Sequence, residues 1–577
     1  MSAAPSVATE PRAGPLQRKP TLPHTPMSMA APFSWPVPIL PHKAAERERA
    51  SATNGRSSSN QGDDDDIDYL KLILNARVYD VANETPLTFA NKLSTRLKNN
   101  IHLKREDLQP IFSFKCRGAY NKMFQLTPAE RANGVCAVSA GNHAQGVALA
   151  ASKLGIQATI VMPTFAPEIK VENVRRLGAK VVLFGRDFDE AKKECARLSK
   201  EQGLTFVPPF DDPYVIAGQG TVGVEILRQI RQDRLDAIFV CCGGGGLIAG
   251  IAAYVKRIRP EVKVIGVNTV DSDGMYQSLL QGKPVEIKEA GLFSDGTSVR
   301  LPGTECVRIC RDLVDDMVLV TNDEICAAIK DAFDDTRSIL EPAGALAVAG
   351  LKRFLATNSD IRDGVFVAVT SGANMNFDRL RFVAERAKIG QGTEAMMSVL
   401  VPETPGTLRE LHQLICPRFV TELAYRFSDP KSAHVLVAFD VADRPTEVAA
   451  LRDAIIAKGP GWDAIDISEN EMAKTHGRFL AGGRSSTVSD EMLYRFRFPD
   501  RPGSLLKFMD LLESGKYNVS LFHYRNNGAD LGRVLAGLQV PPESKASFST
   551  FVDEMRKAGY VEIVEETDNP VYRHFLI

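Results

Sequence analysis

Between residues 130 and 270 the chain alternates short apolar runs with stretches of helical periodicity, and this alternation constrains the fold more than any other feature. The runs that predict strands lie at residues 158–162, 181–184, 238–240 and 262–267, and a further one lies at 364–369. A short apolar strand followed by an amphipathic helix is typical of a parallel sheet covered on both faces. Such sheets bind ligands at the carboxyl ends of their strands. We therefore predict an α/β domain whose functional residues follow its strands.

After residue 395 the pattern changes and an internal repeat begins. Residues 398–408 parallel residues 494–505, with Pro405 and Pro502 at matching positions 97 residues apart. Later in the two copies Tyr425 and Tyr524 match at a spacing of 99 residues, which indicates a small difference in loop length. Each copy predicts strand, helix, strand, strand, helix, strand, which is the ferredoxin-like order. Pro405 is expected to open its helix at the first position, where no N–H is needed.

The segment before residue 63 differs in composition from the rest. Residues 1–62 are rich in proline, serine and alanine and show no sustained periodicity, so they are predicted to be disordered. Before His42 the only acid is Glu10, and a scarcity of acid is typical of an organellar transit peptide. We expect a mitochondrial location, in the matrix; a plain disordered tail on a cytoplasmic protein is the alternative. The aspartates at 63–66 are interpreted as a solvated boundary.

Composition excludes several classes of protein. Lys and Arg total 70 and Asp and Glu total 71, a net charge of -1, so no large nucleic-acid or membrane-surface footprint is expected. No run approaches the roughly 18 apolar residues of a membrane span. The nine cysteines include no Cys-x-x-Cys pair, which disfavours a disulfide framework and a zinc site. We predict a soluble protein without a metal.

Lys115 lies in the segment Ser-Phe-Lys-Cys-Arg-Gly at residues 113–118, among bulky apolar neighbours. Loss of solvation lowers the pKa of a lysine, and a neutral amine can form a Schiff base with an aldehyde cofactor. Most lysines are surface charges, so this segment alone leaves the role of Lys115 open.

A second segment, Ser-Ala-Gly-Asn-His-Ala-Gln-Gly at residues 139–146, joins a strand near Val138 to an apolar helix. Small residues and free N–H groups at a helix start favour an anion such as a substrate carboxylate. A plain turn with a serine or asparagine cap is the alternative. His143 alone is more often a structural hydrogen-bonding residue than a base.

A third segment, Gly243–Gly246, stands between the strand at 238–240 and a helix at 248–258. Successive N–H groups can point into one concavity at a helix start and hold a phosphate; a flexible turn is the alternative. No Gly-Lys-Ser/Thr follows, which excludes a nucleoside-triphosphate loop. The Gly-x-Gly-x-x-Gly match at 218–223 lacks a preceding strand and a following acid, so it predicts a helix start or a wall of the cofactor site, and not an NAD site.

Together these segments resemble the fold-type II pyridoxal-phosphate enzymes. Their order, completed by Ser-Gly-Ala-Asn at 371–374, is similar to that of the biosynthetic threonine dehydratases, over roughly residues 67–577. The resemblance implies a catalytic domain with a two-part open parallel sheet and two C-terminal ferredoxin-like domains of the ACT type. The expected divisions are a disordered transit segment at 1–62, the catalytic domain at 63–390 and regulatory domains at 396–480 and 490–577.

The resemblance also implies roles for residues at the cofactor, pyridoxal 5'-phosphate. Lys115 would form the Schiff base, Asn142 would bond the ring hydroxyl and Ser371 would face the ring nitrogen. A serine at that nitrogen, in place of an aspartate, favours β-elimination over transamination. The phosphate would be held by Gly243, Gly244, Gly245, Gly246 and the amide of Leu247.

The implied substrate is L-threonine, with L-serine as a second substrate, and the implied products are 2-oxobutanoate and ammonia. The substrate carboxylate would lie against Ser139, Gly141 and His143. The amine of Lys115, once freed from the cofactor, would take the Cα proton as general base. The reaction would be the first committed step of isoleucine biosynthesis.

Two alternatives remain. A serine dehydratase or racemase of the same family is the first, but Ala140 stands where the racemases carry a serine that acts as a second base. A non-catalytic amino-acid sensor that uses only the C-terminal pair is the second, and the intact Lys115 and glycine run speak against it.

The C-terminal pair implies feedback regulation. By resemblance, isoleucine would inhibit and valine would oppose it, and the chain would form a homotetramer. Tyr425 and Tyr524 are predicted to contact the effector; strand aromatics packed in a core are the alternative.

Overall fold

The computed structural model describes residues 67–577, apart from 165, 167, 405, 426–430, 478–487, 500–507, 509–510, 513–516, 526–530, 558, 561 and 574–577. Tyr425, Asn518, Tyr524 and Arg525 are described by their backbone only. The predicted disordered segment at 1–62 lies outside the described residues. Within them, no helix combines the length and the apolar character that crossing a membrane requires.

Two sheets form the centre of the part that ends at residue 390. The larger has the strand order β1-β2-β10-β7-β8-β9 and the smaller the order β5-β4-β3-β6. The strands of the larger sheet are β1 (Leu87–Phe89), β2 (Asn100–Arg105), β7 (Ala237–Cys241), β8 (Lys263–Thr269), β9 (Asp316–Val320) and β10 (Val365–Thr370). Those of the smaller sheet are β3 (Val135–Val138), β4 (Ala158–Met162), β5 (Lys180–Leu183) and β6 (Thr205–Phe206).

Fourteen helices of the described residues surround these sheets, and most of them follow a strand. They are α1 (Tyr69–Leu74), α2 (Asn91–Leu97), α3 (Lys115–Phe124), α4 (Pro128–Asn133), α5 (Asn142–Leu154), α6 (Glu168–Arg176), α7 (Phe188–Gln202), α8 (Pro213–Gln229), α9 (Gly246–Ile258), α10 (Gly274–Gln281), α11 (Thr304–Leu313), α12 (Asn322–Thr336), α13 (Pro342–Thr357) and α14 (Arg379–Gly390). Short 3-10 turns lie at Glu106–Leu108 and Asp295–Thr297.

The predicted parallel sheet is confirmed, with one antiparallel edge. All neighbouring strands run parallel except β1, which pairs antiparallel with β2. Every residue of β7 and of β10 is buried, because helices cover both faces of a parallel sheet. This burial is the reason that these strands appear in the sequence as continuous apolar runs.

The glycines at 218–223 lie in the interior of α8, so the expectation that they start a helix is wrong. A Cβ on Gly218 would come within 2.8 Å of the Arg117 carbonyl oxygen on α3, and one on Gly220 within 2.6 Å of Ile73 Cδ1 on α1. The glycines therefore let three helices cross at close range. The start of α8 is set by Asp212, whose carboxylate accepts from the amides of Tyr214 and Val215.

Two ferredoxin-like units follow residue 390, as predicted. The first contains β11 (Glu394–Pro402), α15 (Thr407–Ile415), β12 (Val420–Tyr425), β13 (Ser432–Asp440), α16 (Arg444–Ile456) and β14 (Asp463–Asp466), and is followed by α17 (Glu471–Thr475). The second contains β15 (Glu491–Pro499), β16 (Asn518–Arg525), β17 (Leu531–Gln539), a 3-10 turn (Pro542–Ser544), α18 (Lys545–Lys557) and β18 (Glu562–Glu565). The segment equivalent to α15 lies largely outside the described residues.

The repeat extends to details of strand pairing. The antiparallel sheets have the orders β12-β13-β11-β14 and β16-β17-β15-β18, which are equivalent. A register shift occurs between Val420 and Glu422 in one sheet and between Val519 and Leu521, 99 positions later, in the other. Two copies that share a bulge at the same position are a true structural repeat.

The start of α15 corrects one expectation. The helix begins at Thr407, after Gly406 with a φ of 99°, so Pro405 does not open it. The backbone at Gly406 is in the left-handed region, which a right-handed helix cannot include. Pro405 itself lies outside the described residues.

The two regulatory units pack against each other through a shared core, which includes Leu436, Met472, Leu535 and Val571. Asn470 and Asn569, 99 positions apart, also join them: Asn470 Nδ2 donates to Asn569 Oδ1 at 3.0 Å. The same residue of each copy meets its counterpart, as in an isologous contact between two subunits. The pair is therefore one structural unit.

Candidate active site

Lys115 is the first residue of α3, and its side chain turns towards the loop that precedes α8. Its Nζ donates a hydrogen bond to the Pro209 carbonyl at 2.8 Å and lies 5.3 Å from the centre of the Phe114 ring. Burial lowers the pKa of Lys115 to about 8, although Cys241, Cys306 and Glu341 act in the opposite direction. At neutral pH a substantial fraction of this amine is therefore neutral and nucleophilic.

A buried ion network lies behind Lys115 and fixes α3. Arg117 Nε lies 2.7 Å from Glu106 Oε2 and Arg117 Nη1 lies 2.6 Å from Glu225 Oε1. Lys104 Nζ lies 2.6 Å from Glu225 Oε2, and all four side chains are 0% exposed. Two cations balance two carboxylates at hydrogen-bonding distance, which is the condition under which buried charges are tolerated. The network ties the helix that carries Lys115 to β2 and to α8.

The glycine run Gly243–Gly246 forms a tight cradle at the start of α9. Gly245 is the N-cap and has a φ of 99°, a conformation that favours glycine. A Cβ on Gly244 would lie 2.2 Å from Phe210 Cδ1, and one on Gly243 would lie 2.9 Å from Thr297 Cα. Only glycine fits here, and the first amides of α9 face outwards from a helix N-terminus. This arrangement suits a phosphate group.

The loop at 209–212, which the sequence did not reveal as functional, joins Lys115 to this cradle. Pro209 accepts the hydrogen bond of Lys115 and Phe210 packs on Gly244. Asp211 caps α11, because its carboxylate accepts from the amides of residues 304, 305 and 306 at 3.0 to 3.3 Å. Two consecutive aspartates that cap two different helices hold the loop rigidly. The sequence carries one signal for this loop, the Asp-Asp-Pro at residues 211–213, which is a common start of a helix.

Asn142 is the first residue of α5, and its side chain is held from two sides. Asn142 Nδ2 donates to Glu341 Oε1 at 2.6 Å, and Asn374 Nδ2 donates to Asn142 Oδ1 at 2.8 Å. Neither Glu341 nor Asn374 was predicted to be a site residue, although Asn374 belongs to a motif that the sequence analysis singled out. They lie 199 and 232 positions from Asn142, so only the tertiary structure reveals the contacts.

The three residues predicted to bind the substrate carboxylate lie at the same helix start. Ser139 Oγ accepts from the Gly141 amide at 3.1 Å, and a Cβ on Gly141 would meet no atom within 4 Å. Open space therefore lies in front of Gly141. His143 is buried and its Nε2 lies 2.9 Å from the Val207 carbonyl, which can only accept, so Nε2 carries the proton.

His143 cannot serve as a cationic group. Burial and the nearby Lys115 lower its pKa to about 3, so the ring is neutral and its Nδ1 can only accept. What this residue offers an anion is its backbone amide in the first turn of α5. The prediction that it lines the carboxylate pocket stays a prediction.

Ser371 follows β10 and is buried beside Lys115. The Phe114 amide donates to its carbonyl at 3.2 Å, and its own Oγ donates to the Ala343 carbonyl at 3.2 Å. The carboxyl end of β10 is thereby placed against the start of α3. Ser371 and the glycine cradle follow β10 and β7 of the larger sheet, and Asn142 follows β3 of the smaller sheet. The structure thus brings residues from both sheets together around Lys115.

A charged pocket that the sequence did not predict borders Asn142. It is lined by Lys170, Asp295, Glu341, Pro342, Asn374, Met375, Asn376 and Arg379. Although burial opposes ionisation, Lys170 and Arg379 hold the pKa of Asp295 at about 2. Burial, with Asp295 nearby, raises the pKa of Glu341 to about 7. One acid in this pocket is therefore ionised and the other titrates near neutrality.

The regulatory pair contacts the catalytic part at α14 and at the start of α12, where Lys474 pairs with Asp323. Arg386 Nη2 lies 2.7 Å from Glu471 Oε1 on α17, and Arg386 Nη1 lies 2.9 Å from Asp323 Oδ1 on α12. Arg533 of β17 stands over the Phe382 ring at 5.0 Å. Arg379, one turn earlier on α14, lines the charged pocket. One helix thus touches both the second regulatory unit and the site.

The effector residues predicted from the repeat are described only by their backbones. Tyr425 pairs with Val435 and Tyr524 with Val534, at equivalent places in β12 and β16. Their side chains lie outside the described part of the chain, so the predicted effector contact stays a prediction.

Known proteins share this arrangement. A family model described as a pyridoxal-phosphate dependent enzyme matches residues 78–372. A second, described as the C-terminal regulatory domain of threonine dehydratase, matches residues 385–476 and 482–576. The mitochondrial threonine dehydratase of Saccharomyces cerevisiae is 51% identical over 525 residues, which are 89% of this chain and 90% of that protein. The chain belongs to the threonine dehydratase family.

Solved structures resemble the catalytic part of this threonine dehydratase family member. The processed form of threonine deaminase isoform 2 from Solanum lycopersicum is 49% identical with a TM-score of 0.55, over 57% of this chain and 96% of that one. Maize serine racemase is 31% identical with a TM-score of 0.52, over 54% of this chain and 95% of that one. The predictions of a fold-type II enzyme, of pyridoxal phosphate as cofactor and of two regulatory domains are confirmed.

The residues present fit the cofactor. The glycine cradle, which any Cβ would fill, provides a place for its phosphate, and Lys115 provides an amine of lowered pKa for its aldehyde. Ser371 after β10 and Asn142 after β3 provide polar groups for the ring.

Proposed function

We propose that this chain deaminates L-threonine to 2-oxobutanoate and ammonia, with Lys115 as the residue that binds the cofactor and transfers the proton. The single observation that carries the proposal is that one loop joins Lys115 to the glycine cradle. In this loop Pro209 contacts the lysine and Phe210 contacts the glycines. Membership of the threonine dehydratase family supports the choice of substrate.

The chain's residues divide the work as follows. When bound, pyridoxal phosphate supplies an aldehyde for the substrate amine and a ring that withdraws electrons from Cα. Lys115, with its lowered pKa, offers a lone pair that accepts the Cα proton. The amides of Gly243–Leu247 hold the phosphate, and the turn at Ser139–His143 holds the substrate carboxylate. Loss of the Cα proton and the β-hydroxyl leaves an enamine, whose hydrolysis returns the water and releases ammonia.

Racemisation is disfavoured by Ala140, which stands in the motif where the racemases carry a serine. Ala140 carries no proton-donating group, whereas a racemase needs one on each face of Cα. Among the two solved relatives described above, identity is higher to the threonine deaminase, at 49%, than to the serine racemase, at 31%. We therefore propose serine as a second substrate for deamination only.

Purified protein provides the test. We expect a visible absorbance band of bound cofactor, production of 2-oxobutanoate from threonine, slower deamination of serine and no D-serine. Lys115→Ala should lack the band and the activity. A wild-type protein without the band, or one that forms D-serine faster than it deaminates threonine, would contradict the proposal.

We further propose that the C-terminal pair makes the activity sensitive to isoleucine, which inhibits, and to valine, which opposes inhibition. Two matches to a threonine dehydratase regulatory domain and the contacts of α14 with both parts support this. Tyr425 and Tyr524 are the proposed effector contacts. Titration of the rate with isoleucine, with and without valine, tests the regulation, and an unchanged rate would refute it. Tyr425→Ala and Tyr524→Ala should each shift the titration.

Location and assembly are the last elements of the proposal. We propose import into the mitochondrial matrix by residues 1–62, domains at 63–390, 396–480 and 490–577, and a homotetramer; the S. cerevisiae relative is named as mitochondrial. Fusion of residues 1–62 to a fluorescent protein tests import, and a cytoplasmic signal would refute it. Light scattering tests the tetramer, and limited proteolysis tests whether cleavage falls between the proposed domains.

A further inference from the structure

The hydrogen bonds around Asn142 run in one direction. Asn374 Nδ2 donates both to the Ile111 carbonyl and to Asn142 Oδ1, each at 2.8 Å. A carbonyl can only accept, so the Ile111 contact fixes which end of the Asn374 amide carries the nitrogen. Asn142 Oδ1 is therefore the accepting end, and Asn142 Nδ2 donates to Glu341 Oε1 at 2.6 Å.

This direction determines what Asn142 offers to a ligand. An amide nitrogen carries two hydrogens, and Glu341 accepts one of them. The other is directed to an acceptor elsewhere, such as an aromatic ring oxygen. If the amide of Asn142 were turned over, its oxygen would face the carboxylate of Glu341 and its nitrogen would face the nitrogen of Asn374. Both contacts would then be unfavourable.

We propose that Glu341 and Asn374 are positioning residues that hold the Asn142 amide with its nitrogen towards the cofactor's ring oxygen, and that ionisation of Glu341 strengthens this hold. The inference rests on the proposed function, in which Asn142 bonds that oxygen. It adds a pH-dependent contribution to cofactor binding that comes from a residue outside the predicted site.

The space around Glu341 accommodates its buried carboxyl group. It precedes α13 and is 4% exposed. A Cβ on Gly372 would come within 2.6 Å of Glu341 Oε1, so the glycine after Ser371 makes room for the acid. The Glu341 amide also donates to the Gly372 carbonyl at 3.2 Å, which ties the residue to the end of β10.

Charged and titratable groups face Glu341 from several elements. They are Asp295 of the 3-10 turn, Lys170 of α6, Arg379 of α14, Lys115 of α3 and Cys241 of β7. Burial and Asp295 raise the pKa of Glu341 to about 7, whereas the hydrogen bond from Asn142 and the two cations Lys170 and Arg379 lower it. Because a hydrogen bond that lowers the pKa favours the ionised form, the ionised acid holds Asn142 more strongly than the neutral acid does.

The test measures the affinity for pyridoxal phosphate by protein fluorescence between pH 6 and 8.5. Wild-type protein should bind the cofactor roughly threefold or more tightly as the pH rises through about 7. Glu341→Gln keeps an oxygen that can accept from Asn142 but cannot ionise, so this increment should be absent. The titration of the cofactor phosphate is common to both proteins. That of Lys115 is coupled to Glu341, so it is measured separately in each protein, from the pH dependence of the rate of cofactor capture, and subtracted.

Two further variants test the orientation itself. Asn374→Asp cannot donate to Asn142 Oδ1, and Glu341→Ala cannot accept from its nitrogen. Each should weaken cofactor binding roughly fivefold or more, as loss of a hydrogen bond of about 1 kcal/mol does. Glu394→Gln is the matched control, because Glu394 is also buried and accepts from Thr421 Oγ1 at 2.7 Å. It should follow the wild-type curve.

The outcomes separate the two proposals. A Glu341→Gln curve identical to that of wild type would overturn the inference, as would wild-type affinity in Asn374→Asp. A lower melting temperature of Glu341→Gln with the wild-type pH dependence would show a structural role only and would also overturn it. Wild-type protein that binds no pyridoxal phosphate would refute the proposed function instead. If Glu341→Ala fails to fold, the other two variants still decide.

Discussion

Titration of Lys115 in protein freed of cofactor tests the electrostatics of the site directly. An ordinary lysine, with a pKa near 10.5, is neutral in about one molecule in a thousand at pH 7.5. With the pKa of Lys115 at about 8, about a quarter of the molecules carry the neutral amine at that pH. The site thus raises the reactive fraction roughly 200-fold, and the cause is loss of solvation at the start of α3.

The assay is the rate at which the cofactor-free protein captures pyridoxal phosphate, followed by absorbance from pH 6 to 10. The rate should rise about eightfold from pH 6.5 to 7.5 and level off above about pH 8.5. Nα-acetyl-lysine in solution, whose ε-amine is free, is the control, and its rate of reaction with pyridoxal phosphate should keep rising through pH 10. A protein rate that climbs steadily to pH 10 would refute the lowered pKa, and capture by Lys115→Arg would show that another lysine reacts.

The same shift predicts an effect on stability. The folded state disfavours the charged amine, so stability should rise as the pH rises from about 8 towards 10.5, and the full penalty applies below pH 8. Lowering of the pKa from 10.5 to about 8 corresponds to about 3 kcal/mol, an upper bound because the side chain is partly exposed. Lys115→Met should raise the free energy of unfolding of the cofactor-free protein at pH 7, measured with urea. A decrease of more than 1 kcal/mol would contradict this (about the size of a packing defect).

Three further predictions concern the cradle, the ion network and the coupling face. Gly244→Ala should displace Phe210, whose ring lies 2.2 Å from the added Cβ, and should weaken cofactor binding at least tenfold in a fluorescence titration. Gly141→Ala places its Cβ in open space, so it should leave cofactor binding unchanged and raise KM for threonine. Arg117→Met should lower the free energy of unfolding by about 3–5 kcal/mol in urea, because the buried Glu106 loses its cation and Glu225 keeps only Lys104. Arg533→Gln loses the contact with Phe382, so it should raise the isoleucine concentration for half-inhibition roughly fivefold or more. The rate without isoleucine should be unchanged.

Each of these predictions has its own control. Equal cofactor affinity in Gly244→Ala and wild type would contradict the first prediction, because it would show that Phe210 moves aside without disturbing the glycine cradle. Arg228→Met should cost at most about 1 kcal/mol, because its pair with Glu84 is exposed; a similar loss in Arg228→Met and Arg117→Met would contradict the role of burial. An unaltered isoleucine response in Arg533→Gln would show that the coupling does not depend on the contact between Arg533 and Phe382.

Local sequence determined the elements and much of the chemistry of this threonine dehydratase family member. The run at 158–162 became β4 with the predicted bounds, because hydrophobic patterning records which parts of an element are buried. Lys115 and the glycines at 243–246 stand out for a similar reason. Their neighbours along the chain already supply the burial and the backbone freedom that their chemistry needs.

Other features depended on packing between distant segments. Whether the glycines at 218–223 start a helix or let helices cross is decided by α3 and α1, which the pattern does not include. The helix start after Pro405 is likewise set by the left-handed backbone of Gly406. A local motif is compatible with several tertiary environments, and only the packing selects one.

The lysine, the asparagine and the glycines could be named from the sequence, but the groups that control them could not. Glu341 meets Asn142 across 199 positions, and Pro209 meets Lys115 across 94. Such contacts arise because the two parallel sheets and their helices pack together, which places segments distant along the chain next to each other. The sequence by itself determined which residues carry the chemistry, and the tertiary structure decided which neighbours set their pKa values and orientations.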